Sequence, residues 1–384
     1  MLMGAAAALA LALIGGGCNS AGGRIVDETG APAAWALLPF SKVDSANPVL
    51  TPGVGRFTDP ILHKEVSWEE KDVFNPAVVV KDGVLYLLYR AQDKTGRPAG
   101  TSRIGLAVSS DGLHFSRSPA PVLYPDADSL QSLEWEGGCE DPRIVEDEQG
   151  TYYMTYTAFD GQLARLLVAT STDLRHWIKH GAVFAAAYGG KYKDLWSKSG
   201  SIVSRYSRGR IIATRVAGKY WMYWGDQNIW AATSDDLIHW TPVEMTRGEQ
   251  LPIPLRGQAL NMPSLRIVVP TRTGKFDSDL VESGPPAMLT DKGILLIYNG
   301  RNSRSIGDTS LPEGVYAGGQ VLMDRNDPTR VIHRLATYFI RPEKPYEITG
   351  QVGQVCFLEA LANFKGQWFL YYGTADSKIA VAVK

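Results

Sequence analysis

The stretch EDPRIVEDEQGTYYMTYTAFD (Glu140–Asp160), continued by ARLLVATSTDLRHW (Ala164–Trp177), decides how the chain folds. Apolar and β-branched runs flank a polar turn ending in Gly150, and a third run ends in Ser171, Asp173 and Trp177. Short runs bounded by Gly and Asp predict strands joined in hairpins. The plan recurs earlier, in FNPAVVVKDGVLYLLYRAQD (Phe74–Asp93) with SRIGLAVSSDGLHFS (Ser102–Ser116). It recurs later, in GSIVSRYSRGRIIATRVAGKYWMYWGD (Gly200–Asp226) with IWAATSDDLIHW (Ile229–Trp240). Two weaker copies follow, PPAMLTDKGILLIYNG (Pro285–Gly300) and CFLEALANFKGQWFLYYGTADSKIAVAV (Cys356–Val383). No segment shows a convincing amphipathic helical period.

Five copies of about 45 to 70 residues predict an all-β chain, a five-bladed β-propeller in which each blade buries its faces against its neighbours. The recurring tail, Ser110-Asp111 to Phe115, Ser171 and Asp173 to Trp177, Ser234 and Asp236 to Trp240, reads as a structural turn in which Asp accepts backbone N–H groups. Arg247 to Thr273 reads as a long inserted loop, a class of segment that often carries function. The length of 384 residues suits one large all-β domain, expected over 57–384, with 19–56 as a linker and lead-in rich in Ala, Pro and Gly.

Residues 1–18 read as an export signal, too short for a convincing membrane span. Cys18 follows Gly15-Gly16-Gly17 as at a bacterial lipoprotein cleavage site, although Gly15 stands where Leu is usual and no Lys or Arg precedes the apolar run. The expected location is therefore exported, periplasmic or membrane-anchored through Cys18, in a bacterium. Cys139 and Cys356 leave a disulfide open, and no cysteine pair has metal-site spacing. The net charge of −1 makes neither nucleic acid nor an anionic membrane an obvious partner. Ten Trp and seventeen Tyr offer flat apolar faces, suited to sugar rings and to ordinary cores alike.

Polar residues recur where the copies begin: Asn75-Pro76, Glu140-Asp141-Pro142-Arg143, Lys198-Ser199-Gly200, Glu282-Ser283-Gly284-Pro285 and Glu359. Innermost strands of a propeller converge on its axis, so carboxylates from several blades at one register point to a site. The alternative for Asp141 is a salt bridge to Arg143 or a turn cap, and for Arg90 and Asp376 an ordinary ion pair.

The segment GCEDPRIVEDEQGTYYMTYTAFDG resembles the signature of glycoside hydrolase family 130, the mannoside phosphorylases and β-mannosidases. The matches FNPAVVV, LYLLYRAQD, GKYWMYW, GPPAMLTDKGILLIYNG and YYGTADSKIAVA follow in the family's order, from about Phe57 to Lys384. The resemblance implies a five-bladed propeller acting on a mannose-containing oligosaccharide, with no metal or organic cofactor. It implies Asp141 as general acid, with the leaving oxygen protonated through a mannose hydroxyl, and Asn75, Arg90 and Asp376 as ligands of the mannose. Arg143, Lys198 and Asn299 join the expected substrate-binding set.

Phosphorylases of this family place an Arg after the GKY segment, where this chain has Gly225, and a Tyr-His-Gly where it has Tyr298-Asn299-Gly300. Two cationic partners for phosphate are thus missing. Glu282 stands where phosphorylases carry a small residue, and Asp226 follows the lost Arg. Carboxylates facing an anion pocket would repel phosphate. One acid and one base with room for water between them define an inverting hydrolase, with a typical gap of roughly 6.5–9.5 Å. The expectation is an inverting exo-β-mannosidase, β-1,2 linkages first, with Glu282 as base and Asp226 helping to hold the water. Lys198, kept from the phosphorylase pattern, could neutralise the added carboxylates. The rivals are a β-mannoside phosphorylase and a non-catalytic glycan-binding propeller lipoprotein.

Overall fold

The computed structural model describes residues 25–97 and 99–384. The leader 1–18 and Cys18 lie outside the described residues. The described chain is nearly all β, as the hairpin pattern predicts; the two α-helices among the described residues have four residues each.

The strands group into five antiparallel meanders. The first holds Asp72–Lys81, Val84–Gln92, Ser102–Ser109 and Ser116–Arg117. The second holds Gly138–Glu146, Tyr152–Phe159, Ala164–Ser171 and Ile178–Ala182. The third holds Ser201–Ile202, Tyr220–Trp224, Ile229–Ser234 and Trp240–Pro242. The fourth begins with Leu280–Ser283 and Met288–Leu289, both paired to Ile294–Arg301, followed by Tyr316–Met323 and Val331–Arg334. Pro285 and Pro286, which have no N–H for the ladder, separate those two short strands. The fifth holds Cys356–Phe364, Gln367–Thr374 and Lys378–Val383, and the early strand Ser41–Lys42 completes it. The stretch read as lead-in is therefore a working part of the last sheet.

Five apolar clusters explain why no meander stands alone. Leu88 and Leu106 of the first meet Met154 and Tyr156 of the second. Leu166 and Val168 meet Met222 and Trp224 of the third. Tyr223 and Ile229 meet Leu296 and Tyr298 of the fourth. Ile297 meets Leu358 and Tyr372 of the fifth. Phe369 and Tyr371 then return to Leu85 and Leu87 of the first. Each sheet face is covered by its neighbour, which removes it from water.

Three features differ from the sequence-based expectation. The third copy carries an extra hairpin, Ser204–Ser207 with Arg210–Ala213, which bridges Glu146 and Met288 of the flanking meanders. The tail turn is as expected, but its first serine is Ser109 rather than Ser110. In each copy the serine hydroxyl bonds the aspartate, which accepts two backbone N–H groups and faces a histidine Nδ1: Ser109, Asp111 and His114; Ser171, Asp173 and His176; Ser234, Asp236 and His239. The insert 247–273 is fastened down, with a short 3₁₀ turn Gly257–Asn261 and the strand Ile267–Val269 on Ile229–Ser234. Cys139 and Cys356 are both free and buried, in different apolar clusters.

Candidate active site

Asn75-Pro76 and Asp141-Pro142 each interrupt the first strand of a meander. In Asp72–Lys81 the register shifts between Phe74 and Pro76, and in Gly138–Glu146 between Glu140 and Arg143. Proline cannot extend the ladder, so each pair forms a bulge. Asn75 and Asp141 take positive φ there, 47° and 48°. A third bulge, between Leu358 and Ala360, carries Glu359. Ser199 (φ 59°) and Asp376 (φ 49°) are also left-handed. Such conformations are costly outside glycine and gather where a fold aims side chains at a site.

Asn75, Asp141 and Asp376 meet Lys198 and Glu282 on the polar side of one cavity of about 140 Å³, with Arg90 among them. Its volume is below the roughly 300–1,000 Å³ of drug-sized pockets and suits a single sugar ring. Tyr316, Val352, Val355 and Phe357 form an apolar wall that the sequence reading missed. In a strand pattern an apolar residue facing a cavity looks like one facing the core.

Asp141 is the most heavily bonded of the carboxylates. Asn75 Nδ2 donates to its Oδ1 at 2.9 Å, Arg90 Nη1 donates at 3.0 Å, and Lys198 Nζ stands 3.7 Å from Oδ2. Arg90 also donates to Glu140 Oε1 at 2.6 Å and stacks over Phe74. Burial works to raise the Asp141 carboxyl, but Arg90, Lys198 and the Asn75 hydrogen bond outweigh it and hold it below the usual range. Glu282 accepts a short hydrogen bond from Ser199 Oγ. Burial, helped by the charge of Asp226 and opposed by Lys198, pushes Glu282 up to about 7. Asp376 has no hydrogen-bond partner among the described residues, and burial together with Asp141 lifts it to about 6 against the pull of Arg90. The site thus holds carboxylates driven apart in acidity, the usual mark of divided acid and base duties.

Three expected contacts are corrected. Arg143 does not reach the cavity: Nε and Nη2 donate to the carbonyls of Gly284 and Ser283, both at 2.7 Å, and Nη1 lies 3.3 Å from Glu359. It staples the Asp141 strand to the strand of Glu282. Asn299 is fully buried and pairs both ways with the Leu358 backbone, at 3.0 and 2.7 Å. Asp226 does not line the cavity either; its Oδ2 accepts the Trp196 indole N–H at 3.0 Å, and it acts on Glu282 through charge alone. Glu359, noted only as a recurring acid, is fully buried under the site, and burial raises its carboxyl well above the ordinary range.

Gly225 has φ +114°, and a Cβ there would fall 2.5 Å from the Asn228 carbonyl oxygen and closer still to the Trp230 ring. Its N–H donates to the Lys198 carbonyl at 2.9 Å. The backbone therefore excludes any side chain where the phosphorylase pattern has its Arg. Gly225→Arg is expected to destabilise the protein without making its turnover phosphate-dependent; denaturant midpoints and rates with and without phosphate check both parts.

With this geometry in view, the comparisons agree on one family. The family model described as beta-1,4-mannooligosaccharide phosphorylase matches residues 42–384. The chain belongs to glycoside hydrolase family 130, a family of glycoside-processing enzymes. It is 32% identical to a 1,2-beta-oligomannan phosphorylase of Thermoanaerobacter sp. (strain X514), over 83% of this chain and 92% of that protein. A glycosyl hydrolase structure from Bacteroides ovatus is 46% identical, covers 91% of this chain and 94% of its own, and superimposes with a TM-score of 0.83. A further structure, from work stating that this family "contains glycoside hydrolases that target beta-1,2 mannosidic linkages in Candida mannan", is 46% identical over the same shares, with a TM-score of 0.85.

Proposed function

We propose that the chain is an inverting exo-β-mannosidase, acting first on β-1,2 linkages, built as a five-bladed β-propeller. The cyclic packing of the five meanders supports the propeller. The balance of charge carries the hydrolytic reading. Asp141, Glu282 and Asp376 face only Arg90 and Lys198, and both cations already lie against Asp141. Phosphate would enter beside the carboxylates with both cations already engaged by Asp141, and like charges repel strongly away from bulk water. Water carries no such penalty.

In this reading the terminal mannose fills the cavity, with Asp376 and Asn75 near its hydroxyls and Tyr316 and Phe357 along its C–H face. Water attacks the anomeric carbon opposite the leaving oxygen. Glu282 takes the water's proton as the C–O bond breaks, and the proton supplied from Asp141, through a mannose hydroxyl, ends on the leaving oxygen. Proton exchange with solvent then resets the pair. An export signal over 1–18 would fit the same reading, because an exported enzyme gains nothing from conserving a sugar phosphate.

The pair must share one proton. In the empty site that proton rests on Glu282; the productive form has it on Asp141. The singly protonated pair persists from the low titration of Asp141 up to about 7, where Glu282 titrates. Thus kcat/KM is expected to fall about tenfold per unit above pH 7. A rate that keeps rising from pH 6 to 9 overturns the shared-proton scheme.

The deciding experiment is incubation with β-1,2-mannobiose in phosphate-free buffer, followed by proton NMR. Release of mannose with α configuration supports the reading. A rate that depends on phosphate, with sugar 1-phosphate accumulating, instead establishes a phosphorylase, the reading favoured by the retained Lys198. Saturable binding with no turnover in either buffer points to a glycan-binding protein.

A further inference from the structure

We propose that the Ser199 hydroxyl is a positioning group for the base: it holds Glu282 Oε1 back from the cavity, so that Oε2 alone takes the proton of the attacking water. This role rests on the mannosidase reading above, in which Glu282 is the base. Ser199 is fully buried and does not line the cavity, whereas Glu282 does. Its Oγ donates to Oε1, and Oε2 has no hydrogen-bond partner among the described residues. In the empty site the shared proton therefore rests on Oε2, on the cavity side.

The chain is built to place that hydroxyl. In an extended run successive side chains alternate, and Lys198 and Ser199 would point apart. Ser199 instead takes φ 59°, in the left-handed region that a serine adopts only at a cost. Lys198 Nζ then stands 3.7 Å from Asp141 while the next side chain bonds Glu282. Two consecutive residues thus serve the acid and the base. Three hydrogen bonds fix the segment: Gly225 N–H to the Lys198 carbonyl at 2.9 Å, Thr155 Oγ1 to the Gly200 carbonyl at 2.7 Å, and Ser201 Oγ to the Pro285 carbonyl at 2.7 Å.

The hydroxyl also tunes the base. A donor to a carboxylate favours its charged form, so Ser199 holds the Glu282 titration lower than burial alone would. Lys198 and Arg143 pull in the same direction and Asp226 opposes them; Tyr316 and Glu359 also face Glu282. With the hydroxyl removed, all of these stay in place, and Glu282 is expected to titrate about one pH unit higher, the scale of one hydrogen bond to a charged group. Below pH 7 the productive form, with the proton on Asp141 and Glu282 ionised, then becomes about tenfold rarer, because the resting form keeps its proton on Glu282 more firmly. Near pH 9 both carboxylates are ionised in either protein, and the productive fraction depends on Asp141 alone.

The test is the pH dependence of kcat/KM on β-1,2-mannobiose, in phosphate-free buffer, for the wild type, Ser199→Ala and Ser199→Gly. Glycine adopts a left-handed φ without cost and guards against misfolding of the alanine variant. The wild-type-to-variant ratio is expected to be about ten times larger at pH 6 than at pH 9 for both. A site merely loosened at Ser199 loses the same factor at every pH. A ratio equal at the two pH values therefore overturns the role and leaves the mannosidase reading intact. Should the wild type turn over only with phosphate, or not at all, the mannosidase reading fails instead. The Glu282 carboxyl carbon, assigned by its loss in Glu282→Gln, is then titrated by carbon NMR in the full chain. A midpoint about one pH unit higher in the variants supports the hold of Ser199 on Oε1, and an unmoved midpoint overturns it. The same titration decides if neither variant turns over.

Discussion

Glu282→Gln is expected to lower kcat on β-1,2-mannobiose by about 10²–10⁴-fold, with Asp141→Asn falling in the same range. The substitution keeps shape and hydrogen bonding, because an amide oxygen can still accept from Ser199 Oγ. It removes only the capacity to take a proton from water. Glu282 suits that duty because burial places its titration near 7, where a base is both available and strong enough. Glu282 already holds the shared proton in the empty site up to about pH 7, so the neutral amide leaves the charge beside Lys198 unchanged and KM should change little. Steady-state kinetics with a denaturation curve as folding control check this. A loss smaller than tenfold in a folded variant removes Glu282 from the reaction.

The second large effect is on stability. Arg143→Met is expected to destabilise the protein by about 3–5 kcal/mol. The guanidinium satisfies the carbonyls of Ser283 and Gly284 and stands over Glu359, all out of reach of water. Methionine fills much of the space but donates nothing, leaving buried acceptors unpaired. The urea midpoint should drop with little change in slope. A raised KM at unchanged stability would instead make Arg143 a ligand of the substrate.

The contrast between Asp141 and Arg143 shows where sequence reading stops. Two residues apart in a regular strand, both would share a face. The bulge at Pro142 breaks that alternation, sending Asp141 into the cavity and Arg143 beneath it. The proline was visible; the direction of the twist was not. Asn299 and Asp226 failed for another reason. Their partners, Leu358 and Trp196, lie 59 and 30 residues away, and no local pattern announces such a pairing. The repeated plan, by contrast, was legible because each hairpin is local. It misled in the third copy, where an inserted hairpin has the same two-residue alternation as the other strands, and in the fifth, whose last strand comes from the lead-in. Asn75, Asp141 and Glu282 were found because polar residues at the start of a copy stand where apolar residues otherwise dominate, whereas Asp376 came only from the family resemblance.

The pairing of Ser41–Lys42 with Val383 and Ala382 makes the two ends of the fold a clasp. Val43 and Asn47 extend it by hydrogen bonds to Val381, and Leu50 does so with Ile379. The fifth sheet is complete only when Lys378–Val383 meets Ser41–Lys42. During synthesis the unfastened border of the fifth sheet must therefore wait for the final strand to emerge, and a chain begun at Phe57 would leave that border permanently open to other strands.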